Sequence, residues 1–219
     1  MDGAGDAVKL IAIGIHGELS DIPHGGEASA VAVGSVFVSV LAVSHEQALG
    51  DRELLLRVAG IRRELLESGT FIAVRYGAAF SSAGELLNRF ISRAANAAEI
   101  LRTRRGCVEM TMKIPVGGAT APPDRRQFSN GADYLRALHT HRNAAELDPQ
   151  FRTRVEERLA PLAEELRWRP RDAASVELVA LILRAQVDRF RGAAETLRDS
   201  KQAFLLSGPW PLEVFGETV

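Results

Sequence analysis

The stretch Gly106-Cys107-Val108-Glu109-Met110-Thr111-Met112-Lys113-Ile114 decides the fold. Val108, Met110, Met112 and Ile114 share one side of a period of two, and Glu109, Thr111 and Lys113 share the other. Such alternation belongs to a half-buried strand, one face in a core and one toward water. Just upstream the period differs. Leu87, Phe90, Ala94, Ala97 and Leu101 trace one face of a helix, and Gly106 supplies its stop. A helix ending where a new strand opens puts a boundary near Arg105-Gly106, dividing the chain into residues 1–105 and 106–219.

Working back from that boundary, Ser82 and Glu85 have the spacing of a capping box at the helix start. Thr70 to Tyr76 reads as a strand closed by Gly77. Leu54, Val58, Ile61 and Leu65 mark an earlier helix, with Asp51 placed to cap it and Gly69 to end it. Lys9 to Ile15, Ser29 to Val33 and Val36 to Val43 are β-branched runs that read as strands. Gly34-Ser35 is the hairpin turn between the last two, and residues 16–27 form a loop.

Working forward, residues 117–129 are a Gly- and Pro-rich loop, and Asn130 to Arg142 is a short helix. Asp148-Pro149 caps and starts a longer helix, with Phe151, Val155, Leu159, Leu162 and Leu166 on one face and a kink or new turn at Pro161. Arg167 to Arg169 fits a short strand and Ser175 to Leu183 a strongly apolar one. Val187, Phe190, Ala194 and Leu197 make a last amphipathic helix, and Gln202 to Leu206 the last strand. The order is β-β-β-α-β-α, then β-α-β-β-α-β. The expected class is α+β: a mixed α+β N-terminal domain and a C-terminal domain with the order of a ferredoxin-like split βαβ unit.

Composition narrows the function. The chain has 219 residues with 27 Lys and Arg against 28 Asp and Glu, a formal net charge of −1. That balance gives no bulk attraction to nucleic acid or to an anionic membrane. A lone Cys107 cannot form an internal disulfide. The longest apolar run, Ala28 to Ser44, is Val-rich and broken by Gly34-Ser35, so it reads as two strands rather than a membrane span. No secretory signal is visible, because Asp2 and Asp6 stand where positive charge belongs. The expectation is a cytoplasmic protein. Of the basic residues only Lys9, Lys113 and Lys201 are lysine. This skew fits either a codon bias or the use of planar guanidinium forks to hold partner carboxylates.

No catalytic or metal set emerges. Of His16, His24, His45, His139 and His141, only the last two are close, and i, i+2 on a helix points them to different faces. Cys107 has no partner motif, and neither a nucleophile elbow nor a phosphate loop occurs. Arg102, Arg104 and Arg105 sit at a helix C-terminus, where cations complement the dipole but phosphate does not bind. No cofactor is implied.

Two stretches say more than the patterning does. One is Ile72-Ala73-Val74-Arg75-Tyr76-Gly77-Ala78-Ala79-Phe80, and the other is Leu205-Leu206-Ser207-Gly208-Pro209-Trp210-Pro211. Together, and in that order, they resemble the gas vesicle protein family GvpF/GvpL. That family has an Arg-Phe-Gly-Thr segment after a strand and a Gly-Pro-Trp-Pro segment near its end. The strand from Gly106 and the segment Val187-Asp188-Arg189-Phe190 look like further parts of it. Departures are Ala73 for a Pro, Tyr76 for a Phe, and Leu212-Glu213 for a terminal Pro-Tyr. The helix before Arg75 also lacks the family's His.

The resemblance implies a minor gas vesicle protein, not an enzyme, associated with the vesicle and binding the major shell protein and other accessory vesicle proteins. It points to Arg75, Tyr76, Gly77, Gly208, Pro209, Trp210 and Pro211 as motif or partner-binding positions. Trp210 is expected to bury its ring, and Arg75 either to pair with a carboxylate or to face outward. Two other classes stand beside this one. The first is a small-molecule binder or enzyme on a ferredoxin-like scaffold, which would show a deep pocket with converging polar groups. The second is a nucleic-acid binder, which the neutral charge disfavours.

Overall fold

A computed structural model describes residues 8–23, 26–44, 46–116, 123–143, 147–172, 174–199 and 202–216. His24, His45, Lys201, residues 1–7 and residues 117–122 of the expected loop lie outside these, as does the side chain of His141. The chain forms two compact units. One contains the described residues up to Cys107 and those from Trp210 onward, and the other is Val108–Pro209.

In the first unit, β1 (Val8–His16), β2 (Ser29–Val33), β3 (Val36–Ser44), β4 (Phe71–Ala73) and β5 (Ala79–Phe80) form one sheet. Its order is β2-β3-β1-β4, with β5 also on β1. The β2–β3 hairpin closes on the pair Val33 and Val36. Gly34 takes a φ of 57° in the turn, a conformation that glycine enters without a Cβ penalty. Helix α1 (Arg52–Ser68) buries Leu54, Val58, Ile61 and Leu65, and Asp51 caps it by accepting from the amide of Glu53. Gly69 ends it in an extended conformation, against the side chain of Asp21.

The register of β1 slips between Ala12 and Gly14. The slipped residue Ile13 instead accepts from the amide of Val74 at 3.0 Å. Gly14 next to it has no room for a side chain: a Cβ would lie 2.4 Å from Cδ2 of Phe71. That space lets Phe71 stack on His16, with ring centroids 5.2 Å apart. His16, expected in a loop, is the fully buried last residue of β1.

The helix expected before Gly106 is broken into two. Helix α2 (Ala83–Phe90) and helix α3 (Ala94–Thr103) are joined by a tight turn over Ile91–Arg93. Leu86 is the buried leucine of α2 and Leu87 is exposed, the reverse of the expected assignment. Position 86 stands one full turn, i to i+4, before Phe90 and faces the sheet with it. Ser82 caps α2 as expected, but Glu85 reaches past it to accept from the amide and hydroxyl of Ser81. Those bonds hold its carboxyl below the usual carboxylate range.

In the second unit the order is β6 (Cys107–Pro115), α4 (Gly131–Asn143), α5 (Pro149–Leu159), β7 (Glu165–Asp172), β8 (Ser175–Leu183), α6 (Val187–Glu195) and β9 (Leu205–Trp210). The sheet order is β7-β8-β6-β9. Val108, Met110, Met112 and Ile114 are buried as their alternation requires. Asp148 caps α5 and Pro149 starts it, yet the helix ends at Leu159. Pro161 opens a separate tight turn, and Leu166 lies in β7 rather than on the helix. On β8, opposite Arg169, Glu177 is buried and held by Arg169 at 2.7 Å and Arg171 at 2.9 Å. A carboxylate taken from water needs such paired cations.

The last strand corrects another expectation. Ser207, Gly208, Pro209 and Trp210 lie within β9 rather than after it, and the Gly208–Pro209 peptide is cis. Gly208 has a φ of 117°. A Cβ there would sit 2.9 Å from the carbonyl oxygen of Glu109 and 2.8 Å from the sulfur of Met110. Trp210 does not bury its ring; it is 46% exposed. The residues that are buried at this end are Pro211, Leu212, Val214, Phe215 and Gly216. Leu212 extends the first unit by donating to the carbonyl of Phe71 at 3.0 Å and accepting from Ala73 at 2.9 Å.

Candidate functional site

The Arg75-Tyr76-Gly77 segment is a turn that the first sheet sets up. Strand pairing in β4 stops at Ala73, shorter than the expected Thr70–Tyr76, because Val74 spends its amide on the slipped Ile13. The chain then arches until Ala12 donates to Ala78 at 2.9 Å. Within the arch Ala78 donates back to Arg75 at 3.3 Å, and Gly77 has a φ of 95°. The Tyr76 hydroxyl donates to the carbonyl of Leu49 at 2.6 Å and ties the turn to the loop before α1. Arg62 of α1 donates to the carbonyl of Val74 from the other side.

Replacing Tyr76 with Phe removes one neutral hydrogen bond and keeps the ring. The expected loss is about 1 kcal/mol of unfolding free energy by urea titration, with no change in spectroscopic signature of the fold.

Beneath the turn lies a recess of about 560 Å³, lined wholly by the first unit. Its apolar surface comes from Ile72, Val74, Phe80 and Phe90. Its charged groups are Arg62, Arg75, Arg89 and Arg93 against one carboxylate, Glu213. Burial pushes the Arg62 guanidinium below the usual arginine range, and the charge of Glu213 works in the opposite sense. Nε of Arg62 is buried with no hydrogen-bond partner among the described residues. Arg75 is exposed, and no described carboxylate pairs with it.

Of the residues singled out in the sequence, Arg75 and Tyr76 line this recess, and Gly77 shapes the turn above it. Gly208, Pro209, Trp210 and Pro211 are not among its described lining residues. Arg62, Arg89, Arg93 and Glu213 escaped the sequence reading. Arg89 and Arg93 bracket the apolar Phe90 at i, i+4 spacing, and that was a usable signal. Nothing in the pattern announces that Glu213 returns to the first unit.

The lining combines charged and apolar groups. It carries no His, Cys, Ser or Asp, and the one tyrosine hydroxyl is already engaged with Leu49. Its one carboxylate is Glu213, set among arginines. No group of three or more His, Cys, Asp and Glu that could hold a metal ion occurs among the described residues. No described helix is long and apolar enough to cross a membrane. The arginines at the end of α3 are used locally: Arg102 pairs with Glu99 at 2.6 Å and Arg105 with Glu18 at 3.1 Å.

These features define a mixed α+β protein with two antiparallel sheets and an arginine-lined recess. Its overall fold is similar to that of two crystal structures of the gas vesicle protein GvpF. The one from Anabaena sp. PCC7120 superposes with a TM-score of 0.69 at 14% identity, covering 95% of this chain and 96% of that one. The one from Microcystis aeruginosa gives 0.69 at 14%, covering 95% and 98%. No curated protein sequence matches the chain. The chain belongs to the gas vesicle synthesis protein GvpL/GvpF family, whose model matches residues 14–212. Membership implies a role in gas vesicle formation.

Proposed function

We infer that this chain acts in gas vesicle assembly by binding other vesicle proteins, the major shell protein first among them, and that it is not an enzyme. The family match over residues 14–212 carries this reading. A recess that sets arginines beside apolar surface supports the binding part of it. So does exposed apolar surface on the first unit, where Leu87 and Ile91 follow each other at i, i+4. Shell subunits that expose apolar surface before assembly would aggregate unless covered, and a binding protein of this kind would cover them. The place of action is then the gas vesicle during its construction in the cytoplasm.

The second unit is read as ferredoxin-like, on the sheet order β7-β8-β6-β9 and on an element order that follows β-α-β-β-α-β except that two helices, α4 and α5, stand between β6 and β7. The boundary near Gly106 is read as a domain boundary. The alternative of a small-molecule site on that ferredoxin-like scaffold gains little, because the arginine recess belongs to the first unit.

Co-expression of tagged protein with the shell protein and the other vesicle proteins tests this. Retention of the shell protein through purification, and loss of vesicles under the electron microscope in a deletion strain, are the expected results. Failure to retain any vesicle component, with normal vesicles in the deletion strain, overturns the reading.

A further inference from the structure

The recess under the Arg75–Gly77 turn gathers four guanidinium groups around apolar surface and answers them with one carboxylate. Cations lining one recess give it a positive potential that favours an anionic group. Arg75 and Arg89 are exposed at the recess and pair with no described carboxylate. Arg62 holds a buried Nε with no described partner. Between them Ile72, Val74, Phe80 and Phe90 offer a wall that small inorganic anions cannot use.

We propose that this recess docks an acidic peptide segment of a partner protein, in which carboxylates flank an apolar side chain. The proposal rests on the assembly reading only in taking that partner from among the vesicle proteins. Guanidinium forks receive carboxylates through two parallel hydrogen bonds, which fixes orientation as well as charge. The apolar side chain between the carboxylates covers the wall and is taken out of water. A volume of about 560 Å³ suits a few side chains rather than a whole protein face. A long nucleic-acid strand is the poorer match, since the basic character is confined to one recess in a chain of net charge −1.

Selection from a random-peptide display library on the immobilised full chain tests this, followed by fluorescence anisotropy of the best peptide. Acidic sequences with an interleaved apolar residue are expected to enrich. Their affinity should fall about tenfold or more in the double variant Arg75→Glu/Arg89→Glu, where attraction becomes like-charge repulsion. Arg136→Glu, an exposed reversal in the second unit, should leave the affinity unchanged. The double variant should melt with the wild type, because neither arginine has a described partner to lose.

Enrichment of non-acidic sequences, no enrichment at all, or equal binding by the double variant overturns the proposal. So does displacement of the peptide by equimolar inorganic phosphate, which would mark a simple anion site. If these peptides fail while the shell protein still co-purifies, the recess assignment falls and the assembly role stands. If the peptides bind through Arg75 and Arg89 but no vesicle protein is retained, the assembly role falls instead.

Discussion

Replacing Gly208 with Ala is expected to cost about 4 kcal/mol of unfolding free energy, the largest effect of any single methyl group considered in this chain. Two penalties combine. The φ of 117° lies in a region that residues with a Cβ rarely enter, at about 1–3 kcal/mol. The added methyl would also meet the carbonyl oxygen of Glu109 at 2.9 Å and the Cα of Met110 at 3.3 Å. Those are backbone atoms of β6, an interior strand of its sheet, so they cannot swing aside as a side chain end can. Overpacking of this sort costs about 1–3 kcal/mol more. A small part returns because alanine restricts the unfolded chain.

Gly77→Ala is the control. Its φ of 95° imposes the same kind of strain, but nothing lies within 4 Å of the added methyl. It should cost only about 1–2 kcal/mol. Equal urea midpoints for the two variants would show that the Gly208 contact with β6 contributes nothing.

This contrast bears on what the sequence makes legible. The Gly-Pro-Trp-Pro stretch looks like a stiff exit from a strand with a buried ring, because prolines normally end strands and tryptophans normally go inside. The chain instead carries the motif through β9, leaves Trp210 half in water, and buries Leu212 two residues on. The reason is register. Gly208 must lie flat on β6, and the residues beyond Trp210 are taken up by the first unit through Phe71 and Ala73. A pairing between positions 72 and 212 is too distant for any local pattern to report.

Where the forces are local, the pattern reads well. The α1 cap at Asp51, the hairpin turn at Gly34 and the inward face of β6 follow from rules that span a few residues. Where a helix phase is reset, the reading drifts. The tight turn over Ile91–Arg93 breaks the run, so counting back from Leu101 selects Leu87 rather than Leu86. The turn at Pro161 likewise detaches Leu162 and Leu166 from the face that Phe151, Val155 and Leu159 share. The recess itself was half legible. Arg75 and Tyr76 stood out within a motif, whereas Arg62 and Glu213 acquire meaning only when α1 and the returning tail are brought beside them.

His16 should make the protein acid-labile. Its ring is wholly buried against Phe71. The Ser39 hydroxyl donates to the carbonyl of Gly14 at 3.2 Å, so the 3.0 Å contact from Nε2 to the Ser39 oxygen is assigned as His16 donating. Nδ1 then carries a lone pair with no partner among the described residues, and protonating it would place a charge in an apolar site. Burial accordingly lowers the pKa from 6.5 to about 4. In the unfolded chain the ring binds a proton near 6.5, so between that pH and about 4 the unfolded state holds more protons than the folded one. Stability therefore rises with pH through this window, and falls as acid is added. The loss is about 3 kcal/mol once the pH has dropped through the folded value. Above the unfolded value the group contributes no pH dependence. Urea titrations across the window would show the slope in the wild type. His16→Gln keeps a donor for Ser39 but cannot titrate, so its profile should be flatter by that amount. A variant that loses as much stability with acid as the wild type would assign the lability to the carboxylates instead.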